Sequence, residues 1–410
     1  MRRVDLAEHQ RTAFPGLTAA TARALQATGA VHVSGAVGTG DIVLQAHSVV
    51  GAVPAGTGED AVELHIRPKI GVSRLLWMLG HARNQSGWRE DEVQVGTDTG
   101  LVAAMATMFV TRCRRALTGG ILHGYREIEE TLPTLRGRLR EADQMRARPG
   151  VPLPLEVRYD DYSIDIPENR VLRTAATRLL AIDGLAPTAR MALTRIVRDL
   201  ADAALLPPGP PPPTISETRL NRRYGPALHL AQIILRRSSL EDAPGASSSS
   251  GFLFDMNRVY EDWLSQALMS ALDAIGGQAR RQQALALDDD GRVAMQTDIS
   301  WWSGTDCLAV IDAKYKRLQP SGPRPEDVYQ VLAYCTALGI RHGHLVYAAG
   351  TPTPAIVVRN AGVHIHSHVV PLTDPPDRIL ATIDDIAGKI AASASTPISR
   401  YLAALSDESE

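Results

Sequence analysis

Three charged side chains in the C-terminal third have the types and spacing of a site for phosphodiester cleavage. Asp312 and Lys314 close the apolar run of "CLAVIDAKYKRL" (307–318) as D-x-K, and Asp298 follows "VAMQT" one predicted strand earlier. In a strand, residues i and i+2 point to the same side, so Asp312 and Lys314 share a face. A tight hairpin between the two strands would set Asp298 beside them. Two carboxylates held that close repel as anions, which makes a divalent cation their natural partner, and oxygen ligands favour Mg²⁺ or Mn²⁺. A lysine beside them can orient or help deprotonate a water, or stabilise developing charge on a phosphate. The chain otherwise writes its positive charge as arginine: it has four lysines, Lys69, Lys314, Lys316 and Lys389, and two fall in this stretch. Lys316 lies outside the D-x-K spacing and reads as a solvated side chain, with a phosphate contact as the alternative.

The elements that must position these residues follow in a definite order. The segment "MNRVYEDWLSQALMSALDAI" has Val259, Trp263, Leu264 and Ala267 at helical spacing, with Glu261 at the edge of that stripe and Asp262 competing for the same role. Strands are predicted over "QALALDD", "VAMQTDISWW" and "CLAVIDAKYKRL". The helix "PEDVYQVLAYCTALG" then places Gln330 and Tyr334, i and i+4, on one face. Strands "HGHLVYAAG", "AIVVRN" and "VHIHSHVV" and a closing helix "PDRILATIDDIAGKIAASA" complete the chain.

A helix with Glu, a strand ending in Asp, a strand ending in D-x-K and a helix with Q-x-x-x-Y together resemble the PD-(D/E)xK nuclease core of the RecB-like kind. Thr297 stands where that pattern usually has proline, a departure that changes backbone stiffness but removes no ligand. More narrowly, "TDIS", "VIDAKYK", "EDVYQVLAY" and "GHLVYAAG" resemble the C-terminal region of the McrC family, the nuclease subunit of McrBC-type modification-dependent restriction systems. Upstream, "LHIRPKIGVSRLLWMLGHA", "LRGRLREADQ" and "DDYSIDIPENRVLRTAATRLL" are also similar to that family. The resemblance implies that Asp298, Asp312 and Glu261 are metal ligands and Lys314 the catalytic lysine, with Gln330 and Tyr334 supporting the site. It implies a Mg²⁺-dependent endonuclease (Mn²⁺ in its place) acting on double-stranded DNA in phage defence. It further implies an AAA+ GTPase partner of the McrB type, and it leaves room for a homodimer within a larger assembly. The rival expectations are a non-cleaving adaptor that activates the motor and a stand-alone nuclease on RNA or single strands.

The proline run of "LLPPGPPPPTIS" (205–216) must be extended and cannot continue a helix. It suggests residues 1–206 as a partner-docking region, 207–213 as a linker and 214–410 as the nuclease domain. A Ser/Gly-rich stretch, "EDAPGASSSSG" (241–251), reads as a flexible loop. The N-terminal half mixes predicted strands ("AVHVSG", "DIVLQAHSVVGAV", "AVELHIRPKIG") with apolar helices ("VSRLLWMLGHAR", "GLVAAMATMFVTRCRRALTGG"), so the expected class is α/β: a mixed α+β region, then a central mixed sheet flanked by helices. The sequence carries no G-x-x-x-x-G-K-[ST], which agrees with the AAA+ motor implied by the resemblance being another chain. Candidate contacts with that motor are Arg67 and Lys69 of "IRPKIG" and Arg136 and Arg138 of "TLRGRLR", because an inserted arginine can stabilise transferring phosphate charge.

Composition sets the outer limits. A chain of 410 residues exceeds what one core usually holds, and 44% hydrophobic with 21% charged residues is ordinary globular usage. A formal charge of −2 gives no global footprint for nucleic acid. Three widely spaced cysteines, Cys113, Cys307 and Cys335, support neither a disulfide framework nor a zinc site. No run of about 18 apolar residues could span a bilayer, and a cytoplasmic location is expected.

Overall fold

The computed structural model describes residues 2–35, 41–81, 100–182, 185–238 and 252–394. Strands β1 (Arg2–Ala7) and β2 (Arg11–Pro15), helix α1 (Ala19–Ala27) and strands β3 (Val31–Ser34), β4 (Asp41–Ala46), β5 (Val49–Ala55) and β6 (Val62–Arg67) come first. Helices α2 (Val72–His81) and α3 (Leu101–Thr118) follow, then β7 (Gly124–Leu132), β8 (Arg138–Leu139), α4 (Glu141–Ala147), β9 (Leu155–Ser163), α5 (Pro167–Leu180) and α6 (Pro187–Asp199). After the prolines come α7 (Gly225–Ser238), β10 (Phe252–Asp255), α8 (Met256–Ile275), β11 (Gln278–Arg281), β12 (Ala284–Ala286), β13 (Ala294–Gln296), β14 (Ile299–Ser303) and β15 (Asp306–Arg317). The chain closes with α9 (Pro325–Leu338), β16 (His342–Ala349), β17 (Ile356–Val357), β18 (His364–Val369) and α10 (Pro376–Ala394). This is the expected mixed α/β class.

The sheet that carries the D-x-K segment has the order β11-β14-β15-β16-β18-β17. Strands β14 and β15 form an antiparallel hairpin in which Ser303 pairs with Asp306 across a two-residue turn, and Gly304 in that turn takes φ +61°, which glycine adopts without strain. Strand β16 runs parallel to β15, to which crossover helix α9 connects it, and also parallel to β18. Strand alternation sorts β15 from Ala309 onward, past an irregularity in its pairing with β14. Ala309, Ile311, Ala313 and Tyr315 face the large core that contains α8 and α10. Val310 and Leu318 face a second core with Val331, Tyr334 and Cys335 of α9. Asp312, Lys314 and Lys316 have the parity of that second face. The close seating of α9 on the sheet needs Gly343, since a Cβ there would lie 2.2 Å from Val331 Cγ1.

Helix α8 forms over the expected span because its apolar residues recur at helical spacing. Val259, Tyr260, Trp263, Leu264, Ala267 and Leu268 are all buried, and the Asp255 side chain caps the N-terminus through Asn257 N at 2.9 Å.

Two expected strands are each divided. "VAMQTDISWW" splits at Thr297–Asp298: β13 pairs with β12 in a separate ribbon, while β14 joins the main sheet. "DIVLQAHSVVGAV" splits between β4, in the sheet β2-β4-β3, and β5, in the sheet β1-β6-β5-β10. The proline stretch contains neither helix nor strand, and the chain beyond it returns to the N-terminal elements. Helix α7 packs on α5 and α3, and β10 pairs antiparallel with β5. Residues 241–251, read from sequence as a loop, lie outside the described residues. No described helix is long and apolar enough to cross a membrane.

Candidate functional site

Asp298 occupies the corner where the β12–β13 ribbon gives way to the main sheet. Its carbonyl accepts from Gln282 N at 3.1 Å, and its Oδ2 accepts from Ala313 N at 2.7 Å, which ties it to the strand bearing Asp312 and Lys314. Burial and the neighbouring Asp312 charge push its carboxyl pKa up to about 7. Asp312 is 1% exposed, and burial raises its pKa also, against the pull of Lys314. Its Oδ1 is buried with no hydrogen-bond partner. Its Oδ2 lies 2.5 Å from Lys314 Nζ, a charge-assisted contact.

Lys314 is held from the side as well. Its Nζ donates to Gln330 Oε1 at 2.8 Å, Gln330 Nε2 donates to the Tyr334 hydroxyl at 2.8 Å, and that hydroxyl donates to Gln296 O at 2.7 Å. One turn of α9 is thus tied to both the D-x-K strand and the strand leading into Asp298. Burial raises the Tyr334 hydroxyl pKa to about 12, so it stays a donor.

Glu261 and Asp262 are separated by their partners. The Asp262 carboxylate, half exposed, is bound by Arg281. Glu261, at 24% side-chain exposure, accepts from Gln282 Nε2 at 3.1 Å and lies 4.0 Å from Arg281. Its charge raises the pKa of both Asp298 and Asp312, and it lines the same cleft as Asp298. Gln282 was not visible as a site residue in the sequence. It takes φ +48°, a backbone conformation that costs a non-glycine residue about 1 kcal/mol or more, and its carbonyl accepts from Gln296 Nε2 at 3.0 Å.

A cleft of about 810 Å³ opens onto Glu261 and Asp298. Met78 and Leu79 of α2 and His229 and Ile233 of α7 line it opposite Arg258 and Arg281. The N-terminal half therefore contributes a wall of the site. Among the described residues no three His, Cys, Asp or Glu side chains are gathered closely enough to form a cation cage. The donor set nevertheless fits a hard cation: a buried and a partly buried carboxylate with raised pKa, the buried one with its Oδ1 unpartnered.

The other candidate residues lie on separate elements. Arg67 ends β6, and Lys69 follows it; both are exposed. Arg136 pairs with Asp161 at 2.8 Å and stacks 3.8 Å above the Tyr159 ring, and Arg138 starts β8; both are exposed on the β7-β9-β8 sheet.

Residues 44–348 match the family model described as "McrBC 5-methylcytosine restriction system component". The chain belongs to the McrBC family. This agrees with the resemblance read from the D-x-K and Q-x-x-x-Y segments. A chain of the refined half-complex from the tetradecameric assembly of Thermococcus gammatolerans McrB AAA+ hexamers with bound McrC shares its fold, with a TM-score of 0.61 at 17% identity. That alignment covers 95% of this chain and 100% of the other. The cryo-EM structure of the Thermococcus gammatolerans McrBC complex aligns over 66% of this chain and 88% of that one, at 18% identity and a TM-score of 0.42. No curated protein matches the sequence.

Proposed function

We propose that this McrBC component is the metal-dependent endonuclease subunit of its restriction system, cutting DNA phosphodiester bonds when driven by a translocating AAA+ NTPase whose hydrolysis it stimulates. The observation that carries the reading is the convergence of Asp298, Asp312 and Lys314 at one corner, braced by Gln330 and Tyr334. Asp298 and Asp312 would hold Mg²⁺ or Mn²⁺, with Glu261 available at the edge. A divalent cation there would supply Lewis acidity toward the scissile phosphate and lower the pKa of a bound water.

The side chains of the chain then have distinct work. Lys314 presents an ammonium to the reacting phosphate and can hold the attacking water by its remaining N–H bonds. Gln330 fixes the Lys314 rotamer, and Tyr334 fixes Gln330. The cleft between α2, α7 and α8 admits the substrate strand, with Arg258 and Arg281 on its rim positioned to meet phosphates. Substrate is proposed as double-stranded DNA. The partner is proposed as a motor of the McrB type, because the fold is shared with a chain from an assembly of McrB AAA+ hexamers with bound McrC. Arg67, Lys69, Arg136 and Arg138 are the proposed basic contacts with that motor.

Asp312→Ala and Lys314→Ala are each expected to abolish Mg²⁺-dependent cleavage while leaving partner-stimulated NTP hydrolysis intact. Cleavage that survives either substitution would remove the site assignment.

A further inference from the structure

Two charged side chains at the site have no place in the nuclease constellation: Lys316, the second lysine of "DAKYK", and Asp327 in the first turn of α9. Asp327 is 3% exposed. A buried carboxylate persists only where it is partnered. Its Oδ1 accepts from Lys316 Nζ at 2.8 Å, and its Oδ2 accepts from the Tyr347 hydroxyl at 2.8 Å. Tyr347 is itself 1% exposed and belongs to β16, the strand beside β15. The carboxylate is therefore clamped between neighbouring strands, with the helix N-terminus adding favourable field.

Lys314 Nζ stands 3.9 Å from the same Asp327 Oδ1. Its ammonium thus lies between two buried carboxylates, Asp312 at 2.5 Å and Asp327 at 3.9 Å, with Gln330 Oε1 at 2.8 Å. Without Lys316, Asp327 would be a poorly compensated buried anion and would compete with Asp312 for Lys314. With Lys316 and Tyr347 bound to it, Asp327 holds a moderate attraction on Lys314 that does not vanish when Asp312 turns its charge to a cation. We infer that Lys316 and Asp327 are positioning residues that act as a pair to fix the Lys314 ammonium between Asp312 and Gln330. The kinetic side of this inference rests on the nuclease reading; the side-chain positioning does not.

A chain with four lysines allows a test that needs no cleavage. The full chain, free of metal, is acetylated with a water-soluble N-hydroxysuccinimide ester under single-hit conditions, and peptide mass spectrometry gives a rate for each lysine. Loss of an opposite charge within about 4–6 Å is worth about a tenfold change in amine reactivity, and Asp327 Oδ1 lies 3.9 Å from Lys314 Nζ. Asp327→Asn is therefore expected to raise the Lys314 rate about tenfold, with Lys69 and the exposed Lys389 unchanged as controls. Lys316→Met should move the Lys314 rate the opposite way, lowering it, because the uncompensated Asp327 carboxylate then holds the Lys314 ammonium more tightly, and Lys316→Arg should restore the wild-type rate. If Asp327→Asn unfolds the chain, loss of its far-UV helical signal shows it, and the Lys316→Met and Lys316→Arg pair decides instead. An unchanged Lys314 rate in folded variants overturns the inference.

In cleavage with the motor present, Lys316→Met is expected to lower kcat about tenfold at constant KM for DNA. A rise in KM at constant kcat would make Lys316 a phosphate contact and overturn the positioning role. A wild-type chain that cuts no DNA with Mg²⁺ and its motor would end the nuclease reading, and the acetylation rates would still decide the positioning.

Discussion

Asp298→Asn should stabilise the metal-free protein while removing its response to Mg²⁺. The substitution keeps a carbonyl oxygen able to accept from Ala313 N, so the 2.7 Å tie between β15 and the Asp298 corner survives. What it removes is a carboxylate whose ionisation is opposed by burial and by Asp312. An unfolded aspartate ionises near pH 4, whereas Asp298 does so at about 7 in the folded chain. The sign follows from linkage. Below pH ~4 both states are protonated and there is no penalty; between about 4 and 7 the unfolded state ionises first and folding weakens; above about 7 the penalty is constant. That interval corresponds to about 4 kcal/mol, which we reduce to about 2 kcal/mol because the site borders an open cleft and its charge is shared with Asp312. Urea unfolding in EDTA at pH 8 should therefore show Asp298→Asn more stable than wild type by about 2 kcal/mol, with the difference shrinking toward pH 4. Adding Mg²⁺ at about 100 times its dissociation constant should return about 2.7 kcal/mol to wild type only. Equal Mg²⁺ stabilisation of both proteins, or a variant less stable than wild type at pH 8, would refute the account of this corner.

Other perturbations test the elements that hold the corner in place. Gly343→Ala places a Cβ 2.2 Å from Val331 Cγ1 and 2.8 Å from Cys335 Sγ; overpacking of this kind costs about 1–3 kcal/mol, and a denaturation midpoint equal to wild type would show that α9 can lift without loss. Tyr334→Phe deletes the hydroxyl that joins Gln330 to Gln296 O and should cost about 1–2 kcal/mol of stability. Cleavage should fall with it, through the freed Gln330, at unchanged KM. His344 and His368 stack under α10 with Nδ1 and Nε2 3.1 Å apart, and burial lowers both pKa values, that of His368 to about 4. Being neutral in the folded chain, they cost stability as pH falls from the ordinary imidazole value of about 6.5 toward about 4. His368→Leu should flatten the wild-type decline over that range, and a parallel decline would remove these histidines as its cause.

The parts of the site visible in sequence are those set by local periodicity. Helix α8 shows its stripe because one face is buried, and β15 shows its D-x-K because alternate residues face different cores. The Gln330–Tyr334 pair needed only the helical repeat. The remaining features depend on contacts distant in sequence. The break at Thr297–Asp298 arises because β13 has β12 for a partner and β14 has β11 and β15, and no residue type announces that change of partner. Lys316 read as solvated because a D-x-K-x-K segment does not reveal that Asp327, eleven residues on, is buried opposite it. Glu261 and Asp262 were equal rivals on the stripe until Arg281 and Gln282 divided them. Strand β7 went unread for another reason: Glu, Arg and Thr fill it with mostly exposed positions, so no apolar period marks it. Its partner β9 carries only Leu155, Val157 and Tyr159 at period two before Asp160 and Asp161 end the pattern.

The same distant contacts bear on how work by the proposed motor would reach the proposed nuclease site. The proline stretch suggested two bodies joined by a linker, yet the chain beyond it adds β10 to the N-terminal sheet beside β5 before entering α8. Tyr315, on the face of β15 opposite Asp312 and Lys314, donates to Glu8 Oε2 at 3.2 Å, just after β1. The cleft itself takes one wall from α2 and α7 and the other from α8 and β11. Displacing the N-terminal elements would therefore alter the width of the cleft and load the strand that bears Asp312 directly. Packed interfaces of this kind respond by switching between arrangements rather than by stretching. A partner gripping the N-terminal half would not need a flexible tether to influence cleavage, because β10 and Tyr315 already connect what it grips to the residues that would cut.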